Sequence, residues 1–185
     1  IIIKTYNKDI KNNDFKLSSG KKIIVSGEVF DASKLGKLLN NTSKSNSLKN
    51  INKNIIINFS NINTKLTNQI QNFNLIGSIE NGKFIKISSK GELGENKYID
   101  IKLYKDKKIK KSFLEIYSDE PQILLSDYNF FKGIQGGKIL YNLEFDDTSS
   151  VSSILIEKFK VKDAPGFVKL LSLADFGGLA DLVSG

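Results

Sequence analysis

Histidine, cysteine and arginine are all absent from this chain of 185 residues. Without histidine or cysteine, the sequence holds no Ser-His or Cys-His nucleophile, no histidine general base and almost no ligand set for zinc. The absence of cysteine also excludes disulfide bonds, which leaves the redox compartment open. We therefore expect no catalytic residue, no metal site and no cofactor, and we do not expect an enzyme.

The two pairs of adjacent carboxylates lie at a predicted turn and at a predicted helix start. Asp146-Asp147 is a pair of acids, but adjacent strand residues point to opposite faces, and the string Asp-Asp-Thr-Ser-Ser is typical of a turn. Asp119-Glu120 precedes a predicted helix, whose dipole favours acidic residues at its start. Both pairs therefore predict local structure rather than acid–base chemistry.

Lysine supplies all 28 basic residues, and the net charge is +8. The densest run, residues 105–111, lies at a predicted turn. Basic residues interleaved with Phe and Tyr are compatible with nucleic-acid binding. However, no arginine is present for bidentate contacts to bases or phosphates, and anionic lipid headgroups suit the same charge equally well. We expect no nucleic-acid partner and keep a salt-dependent nucleic-acid binder as a third hypothesis.

Alternation of apolar and polar residues with a period of two dominates the chain from residue 55 onward. About eight short strands recur with turn signals between them, of which Glu80-Asn81-Gly82 is the strongest. No apolar run reaches the roughly 18 residues that a membrane-spanning helix needs. The pattern predicts a mainly β chain with a few short helices and an antiparallel sheet that is apolar on one face.

Short helices are predicted at residues 31–39, 121–131 and 165–183, and residues 40–54 read as a polar surface loop. Three short helices do not obviously cover eight strands. Two interpretations stay open: the apolar residues form a core that these helices seal, or part of the apolar face is an open groove that needs a ligand or partner.

The C-terminal part of the chain carries a family resemblance. Residues 159–185 follow the pattern F-x-V-x-D-A-P-x-x-x-x-L-L-S-L-A-x-x-x-G-L-x-D-x-x-S-G, which resembles the C-terminal region of the AsmA-like family in its YhdP branch. The approach to it is also similar, with a predicted short helix before the glycine-rich strand start at residues 133–137. The resemblance is specific over residues 118–185 and general over residues 1–117. The family usually has Asp-Ala-Gly where this chain has Asp119-Glu120-Pro121.

The resemblance implies a location and a function. Proteins of this branch are large, are anchored in the inner membrane of diderm bacteria, and have a long periplasmic β-groove that is implicated in carrying phospholipid towards the outer membrane. We therefore expect residues 1–185 to be a single periplasmic fragment of a longer protein, with a curved antiparallel sheet that forms an elongated β-groove. The expected partners are phospholipid acyl chains, membranes through parts outside this fragment, and an envelope protein.

Alternation assigns the lining of such a lipid-binding groove, although a slip of one residue would turn any strand over. The predicted lining residues are Ile55, Ile57, Phe59, Phe73, Leu75, Ile85, Ile87, Ile99, Ile101, Leu103, Leu114, Ile116, Ile139, Tyr141, Leu143, Ile154 and Ile156. The alternative function is an envelope assembly or structural scaffold that acts through a protein partner and has a filled core.

Overall fold

A computed structural model describes residues 1–33, 50–64, 69–125 and 134–162. In these residues the chain is mainly β, and most of its strands join one large, curved sheet that does not close into a barrel. The mainly β class predicted from the sequence is confirmed.

Ten strands form the large sheet in the order β1-β2-β3-β4-β5-β6-β7-β8-β10-β11, and β9 pairs with β12 in a small second sheet. The strands are β1 (Ile2–Asn7), β2 (Ile10–Ser19), β3 (Lys22–Asp31), β4 (Lys53–Asn63), β5 (Gln69–Glu80), β6 (Lys83–Glu92), β7 (Tyr98–Asp106), β8 (Lys111–Ser118), β9 (Ile134–Gln135), β10 (Lys138–Phe145), β11 (Ser150–Glu157) and β12 (Lys160–Val161).

Neighbouring strands of the large sheet are antiparallel, as predicted, with one parallel pair among the described strands. In that pair, β3 runs beside β4 with Ile23 opposite Ile55 and Val25 opposite Ile57. A parallel neighbour requires the chain to cross back to the starting edge of the sheet, which a tight hairpin cannot do. Because β3 ends at Asp31 and β4 begins at Lys53, the chain between them is long enough for such a connection.

Tight turns join most of the antiparallel strands. In the turn from β5 to β6, Asn81 and Gly82 both have positive φ values, 51° and 73°, which is the left-handed geometry of a two-residue hairpin turn. Lys8 and Asp9, between β1 and β2, also have positive φ values, 48° and 65°. The Asn-Gly signal predicted the turn between β5 and β6, whereas the Lys8-Asp9 turn between β1 and β2 carries no such signal.

One short helix, α1 (Gln122–Leu125), lies in the described part of the chain. It confirms the start of the helix predicted at residues 121–131. Residues 34–39 of the first predicted helix, residues 126–131 of the second, residues 40–49 of the predicted loop and the predicted helical pair at 165–183 lie outside the described residues. The loop predicted to extend to residue 54 ends earlier, because Lys53 and Asn54 already belong to β4.

An aromatic core lies where β2 to β7 approach α1. Phe15, Phe30 and Phe59 meet there with ring centroids 5.3–5.7 Å apart, two of the contacts edge-to-face and one stacked. Offset-stacked and edge-to-face ring pairs stabilise the fold beyond the contribution of the apolar area that they bury. The α1 residues Ile123 and Leu124 pack against the same cluster, so helix and sheet are joined at this end.

Gly27 is required by the close approach of β2 to β3. A β-carbon built on Gly27 would lie 2.3 Å from the backbone oxygen of Asp14 and 2.4 Å from Cβ of Phe15. Both contacts are far inside van der Waals distance, and a backbone atom cannot move aside without distorting the strand. The site lies at a register shift of the β2–β3 pair, where strands are irregular and glycine is favoured.

We predict that Gly27→Ala lowers the free energy of unfolding by about 1–3 kcal/mol, because overpacking forces the backbone to shift. Urea unfolding followed by circular dichroism measures the change. Gly20→Ala is the matched control, since nothing lies within 4 Å of its added carbon. If the two variants unfolded at the same urea concentration, the close contact at Gly27 would not exclude a larger side chain.

A continuous apolar face as the candidate functional site

Cross-strand pairing brings the predicted lining residues onto one side of the large sheet. The first row across the sheet runs through Ile55, Gly77, Ile87, Leu103, Leu114 and Leu143. The second row runs through Ile57, Leu75, Ser89, Ile101, Ile116, Tyr141 and Ile154. Because directly opposite residues in a sheet share a face, each row lies on one surface. We call this surface the apolar face.

The third row lies closest to α1. It contains Phe59 opposite Phe73, and then Ile99, Ser118, Ile139 and Ile156 in successive pairs. Gly91 stands opposite Ile99, and a β-carbon there would lie 3.1 Å from the ring of Phe73. The glycine therefore leaves space for the larger side chains on either side of it.

Ile85 is the one predicted lining residue without an opposite partner in the register. The β5–β6 pairing shifts between Ser78 and Ile79, so that Ile79 faces Phe84 and Ile85 is the extra residue of a bulge. Both Phe84 and Ile85 line the same cavity at this end of the sheet. The sequence alternation placed Ile85 correctly beside Ile87 but gave no sign of the bulge.

The apolar face is wider than the predicted list. Leu17 lies opposite Val25, which is opposite Ile57, so β2 and β3 extend the second row. Phe145 lies two residues beyond Leu143 and continues β10 along the face. The alternation of β10 already contained the signal for Phe145. The contribution of β2 required the register of the sheet, because β2 is rich in polar residues.

Burial along the apolar face is uneven. Near α1, Phe59 is 6% exposed, Ile99 4% and Ile139 1%. Further from α1, burial varies from strand to strand: Ile55 (8% exposed) and Leu103 (7% exposed) are buried, Ile101 and Leu143 are partly buried, and Ile154 on β11 is 50% exposed. The face is therefore closed at the α1 end and at some positions of the first row, and it is most accessible towards β11.

The other surface, which we call the outer face, is mostly polar. Asn54 accepts a hydrogen bond from Ser78 across the β4–β5 pair at 2.8 Å, and Lys102 donates to Glu115 across β7–β8 at 3.1 Å. These pairs sit one residue out of phase with the apolar rows. The sheet is therefore apolar on one surface and largely polar on the other, as the alternation predicted.

The strand ends furthest from α1 carry a rim of lysines. We call Lys83, Lys105, Lys107, Lys108 and Lys110 the lysine rim; all five side chains are exposed. A cavity of about 490 Å³ opens beside them. It is lined by Gly82, Lys83, Phe84, Ile85, Lys105, Lys110, Ser112, Phe145, Asp146 and Asp147.

Asp146 belongs to a turn, as predicted. Its carboxylate accepts hydrogen bonds from the backbone N–H groups of Thr148 (2.7 Å) and Ser149 (2.8 Å) and from both hydroxyls (2.7 and 3.2 Å). These bonds, led by that from the Thr148 hydroxyl, lower the pKa of Asp146 to about 2. No group of acids suited to a metal ion occurs among the residues that the structure describes.

Asp119 connects three strands rather than supporting a helix dipole. It accepts hydrogen bonds from the backbone N–H of Tyr98 at 2.9 Å and from the Tyr117 hydroxyl at 2.6 Å, and it lies 3.3 Å from the ammonium group of Lys138. Its neighbour Glu120 pairs with Lys97 at 2.7 Å. The predicted position just before the helix is right, but Asp119 contacts β-strands and Glu120 contacts the residue that precedes β7.

No protein-family model, curated protein or solved structure matches the chain. In the described ranges, no helix has the length and apolar character to cross a membrane. The resemblance to the AsmA-like family therefore stays a prediction, and the apolar face is the structural feature that bears on function.

The turn at Asp146 should respond to acid in a defined way. Its folded-state pKa lies below the usual value near 4, so the carboxylate stabilises the turn fully above that value, and the contribution is lost as the pH falls through about 2. We predict a carboxyl titration midpoint near 2 by carbon-detected NMR, with protection of the Thr148 amide lost in parallel. The midpoint should rise in Thr148→Val, and an unchanged midpoint in that variant would contradict the assignment.

Proposed function

We propose that this chain is a section of a periplasmic lipid-transfer path that carries phospholipid between the inner and outer membranes of a diderm bacterium. The observation that carries the proposal is the continuity of the apolar face across β4 to β11. Part of that face is accessible, and one such residue, Ile154, is half exposed. The family resemblance of residues 118–185 supports the same function.

The hydrophobic effect supplies the reason why such a face takes up lipid. Each methylene group removed from water is worth about 0.8 kcal/mol, so a sixteen-carbon chain in water costs on the order of 12 kcal/mol, and a diacyl lipid roughly twice that. A lining that is apolar from strand to strand offsets most of this cost at each position. A lipid then moves along the face without a large barrier, and no bond is made or broken.

The arrangement of rows favours movement across the strands. Each row continues from one strand to its neighbour at a spacing of about 4.8 Å, so an acyl chain that leaves one strand meets an equivalent apolar surface on the next. Interruptions are small or buried: Gly77 and Gly91 carry no side chain, and Ser89 is 7% exposed and bonds to the Ile101 carbonyl. We propose no catalytic residue for this function.

We predict that a negative charge on the apolar face abolishes lipid retention. Ile101→Asp and Leu143→Asp each place an unpaired carboxylate in a row that acyl chains would have to cross, which is unfavourable in an apolar environment. Native mass spectrometry of the full-length protein measures co-purified phospholipid, with the wild type retaining lipid and both variants losing it.

Ile76→Asp is the matched control, because Ile76 lies on the outer face and is 56% exposed. It should keep its lipid. Circular dichroism of all three variants checks that the sheet persists. If Ile101→Asp and Leu143→Asp stay folded and retain wild-type amounts of lipid, the lipid-transfer function is wrong.

A scaffold function is the second candidate, and one observation favours it. Ile24, Ile56 and Ile76 form a row on the outer face, where Ile24 is 39% exposed and Ile76 56% exposed. Apolar side chains grouped on a polar surface are typical of contact sites for protein partners. Under this function, Ile76→Asp would abolish envelope integrity in cells while the apolar-face variants would not.

A further inference from the structure

We infer that the cavity at the lysine rim binds the phosphate-bearing headgroup of an anionic phospholipid whose acyl chains lie on the apolar face. The inference deepens the proposed lipid-transfer function and rests on it. It assigns a headgroup class and an orientation to the lipid, neither of which follows from the apolar rows alone.

Lys105 is the residue that links the lysine rim to the apolar face. It lies two residues beyond Leu103 on β7 and opposite Ser112, which is two residues before Leu114 on β8. Lys105 therefore occupies a position of the apolar face, in line with the first row, at the point where the strand ends. A lysine at such a position places its ammonium group next to apolar surface.

The surroundings of Lys105 combine apolar and cationic groups. The cavity that it lines has Phe84, Ile85 and Phe145 as apolar walls and Lys83 and Lys110 as further cations. Within the described residues, none of these three lysines forms an ion pair. An amphiphile with a negative headgroup and an apolar tail matches this combination, because lysine ammonium groups bind phosphate as point charges.

Carboxylates also lie near the cavity, and two of them accept hydrogen bonds within turns, which leaves them negatively charged. Asp146 and Asp147 line the cavity, but Asp146 is hydrogen-bonded within its own turn. Asp106, at the adjacent turn, accepts from the backbone N–H of Lys108 at 2.8 Å. With Glu80, which lies opposite Lys83 in the β5–β6 register, four carboxylates lie near the five lysines of the rim, of which three line the cavity. The net charge at this end is therefore slightly positive, which favours an anionic over a zwitterionic headgroup.

The length of the face agrees with this orientation. Six residue steps along β7 separate Lys105 from Ile99, a distance of about 20 Å. An acyl chain in a bilayer occupies about half of a hydrocarbon core that is roughly 30 Å thick. A tail of about 15 Å that starts at the lysine rim therefore ends between Ile101 and Ile99, just before Ile123 and Leu124 of α1 close the face.

The strand ends beside α1 have a different arrangement of charge. There Lys97 pairs with Glu120 and Lys138 with Asp119, and Glu92 and Glu95 add further negative charge. An anionic headgroup finds fewer unpaired lysines at that end than at the lysine rim. The two ends of the face therefore favour one orientation for a negatively charged lipid.

The test compares two lipids with identical acyl chains, phosphatidylglycerol and phosphatidylethanolamine, bound by the full-length protein from mixed vesicles. Wild type should prefer phosphatidylglycerol. In the triple variant Lys83→Gln, Lys105→Gln, Lys110→Gln, this preference should fall by roughly fivefold or more, since each basic residue near a lipid phosphate contributes measurably. Arginine at the same three positions should restore it, and added salt should weaken it.

The matched control is Lys16→Gln, Lys86→Gln, Lys158→Gln, which removes the same charge elsewhere. Lys158 has a φ of 55° and Lys110 has 58°, so each triple contains one lysine in the left-handed region. The control should keep the wild-type lipid preference. Matching thermal melts of both triples show that a changed preference is not caused by unfolding.

The outcomes separate this inference from the function on which it rests. Wild type that retains phospholipid but has no preference, or a rim triple that keeps the wild-type preference, overturns the headgroup site alone. Wild type that retains no phospholipid overturns the lipid-transfer function as well. Displacement of phosphatidylglycerol by a single-stranded oligonucleotide, in a manner that depends on the same three lysines, would reassign the rim to nucleic acid.

Discussion

Strand register is the constraint on which this molecule depends. Side chains in a strand alternate between faces, so a shift of one residue in any pair would move every apolar side chain of the following strand to the wrong surface. From β4 to β11 the register instead places apolar residues opposite one another in most pairs of the rows, for example Leu103 with Leu114 and Tyr141 with Ile154. One surface of the sheet is apolar because these pairings are maintained across all of these strands.

The apolar face also differs from one strand end to the other. At the α1 end, Ile99 and Ile139 are almost fully buried, and Asp119 holds β7, β8 and β10 together through hydrogen bonds and an ion pair. At the other end, exposed lysines surround an open cavity. Closure at one set of strand ends and exposed lysines at the other give the face a direction along the strands. The proposed lipid orientation follows from that direction.

Much of this arrangement was predictable from local signals. Alternation placed the lining residues of β4 to β11 on a common face, and the Asn81-Gly82 turn was visible as a dipeptide. By contrast, β1 and β2 were not predicted as a hairpin. Their sequences are rich in Asn, Lys and Asp, their turn at Lys8 and Asp9 lacks glycine, and register shifts interrupt both of their pairings. The parallel pairing of β3 with β4 was also missed, because pattern within a strand does not specify the direction of its neighbour.

The sequence by itself determined which residues are apolar, their period of two and most of the turns, since these depend on side-chain chemistry and on φ and ψ preferences within a few residues. It also excluded histidine and cysteine chemistry. Only the tertiary structure decided which strand lies beside which, which end of the apolar face is covered, and that Lys105 joins Lys83 and Lys110 beside the walls formed by Phe84 and Phe145. Those features arise from contacts between residues distant in the chain, and no local pattern encodes such contacts.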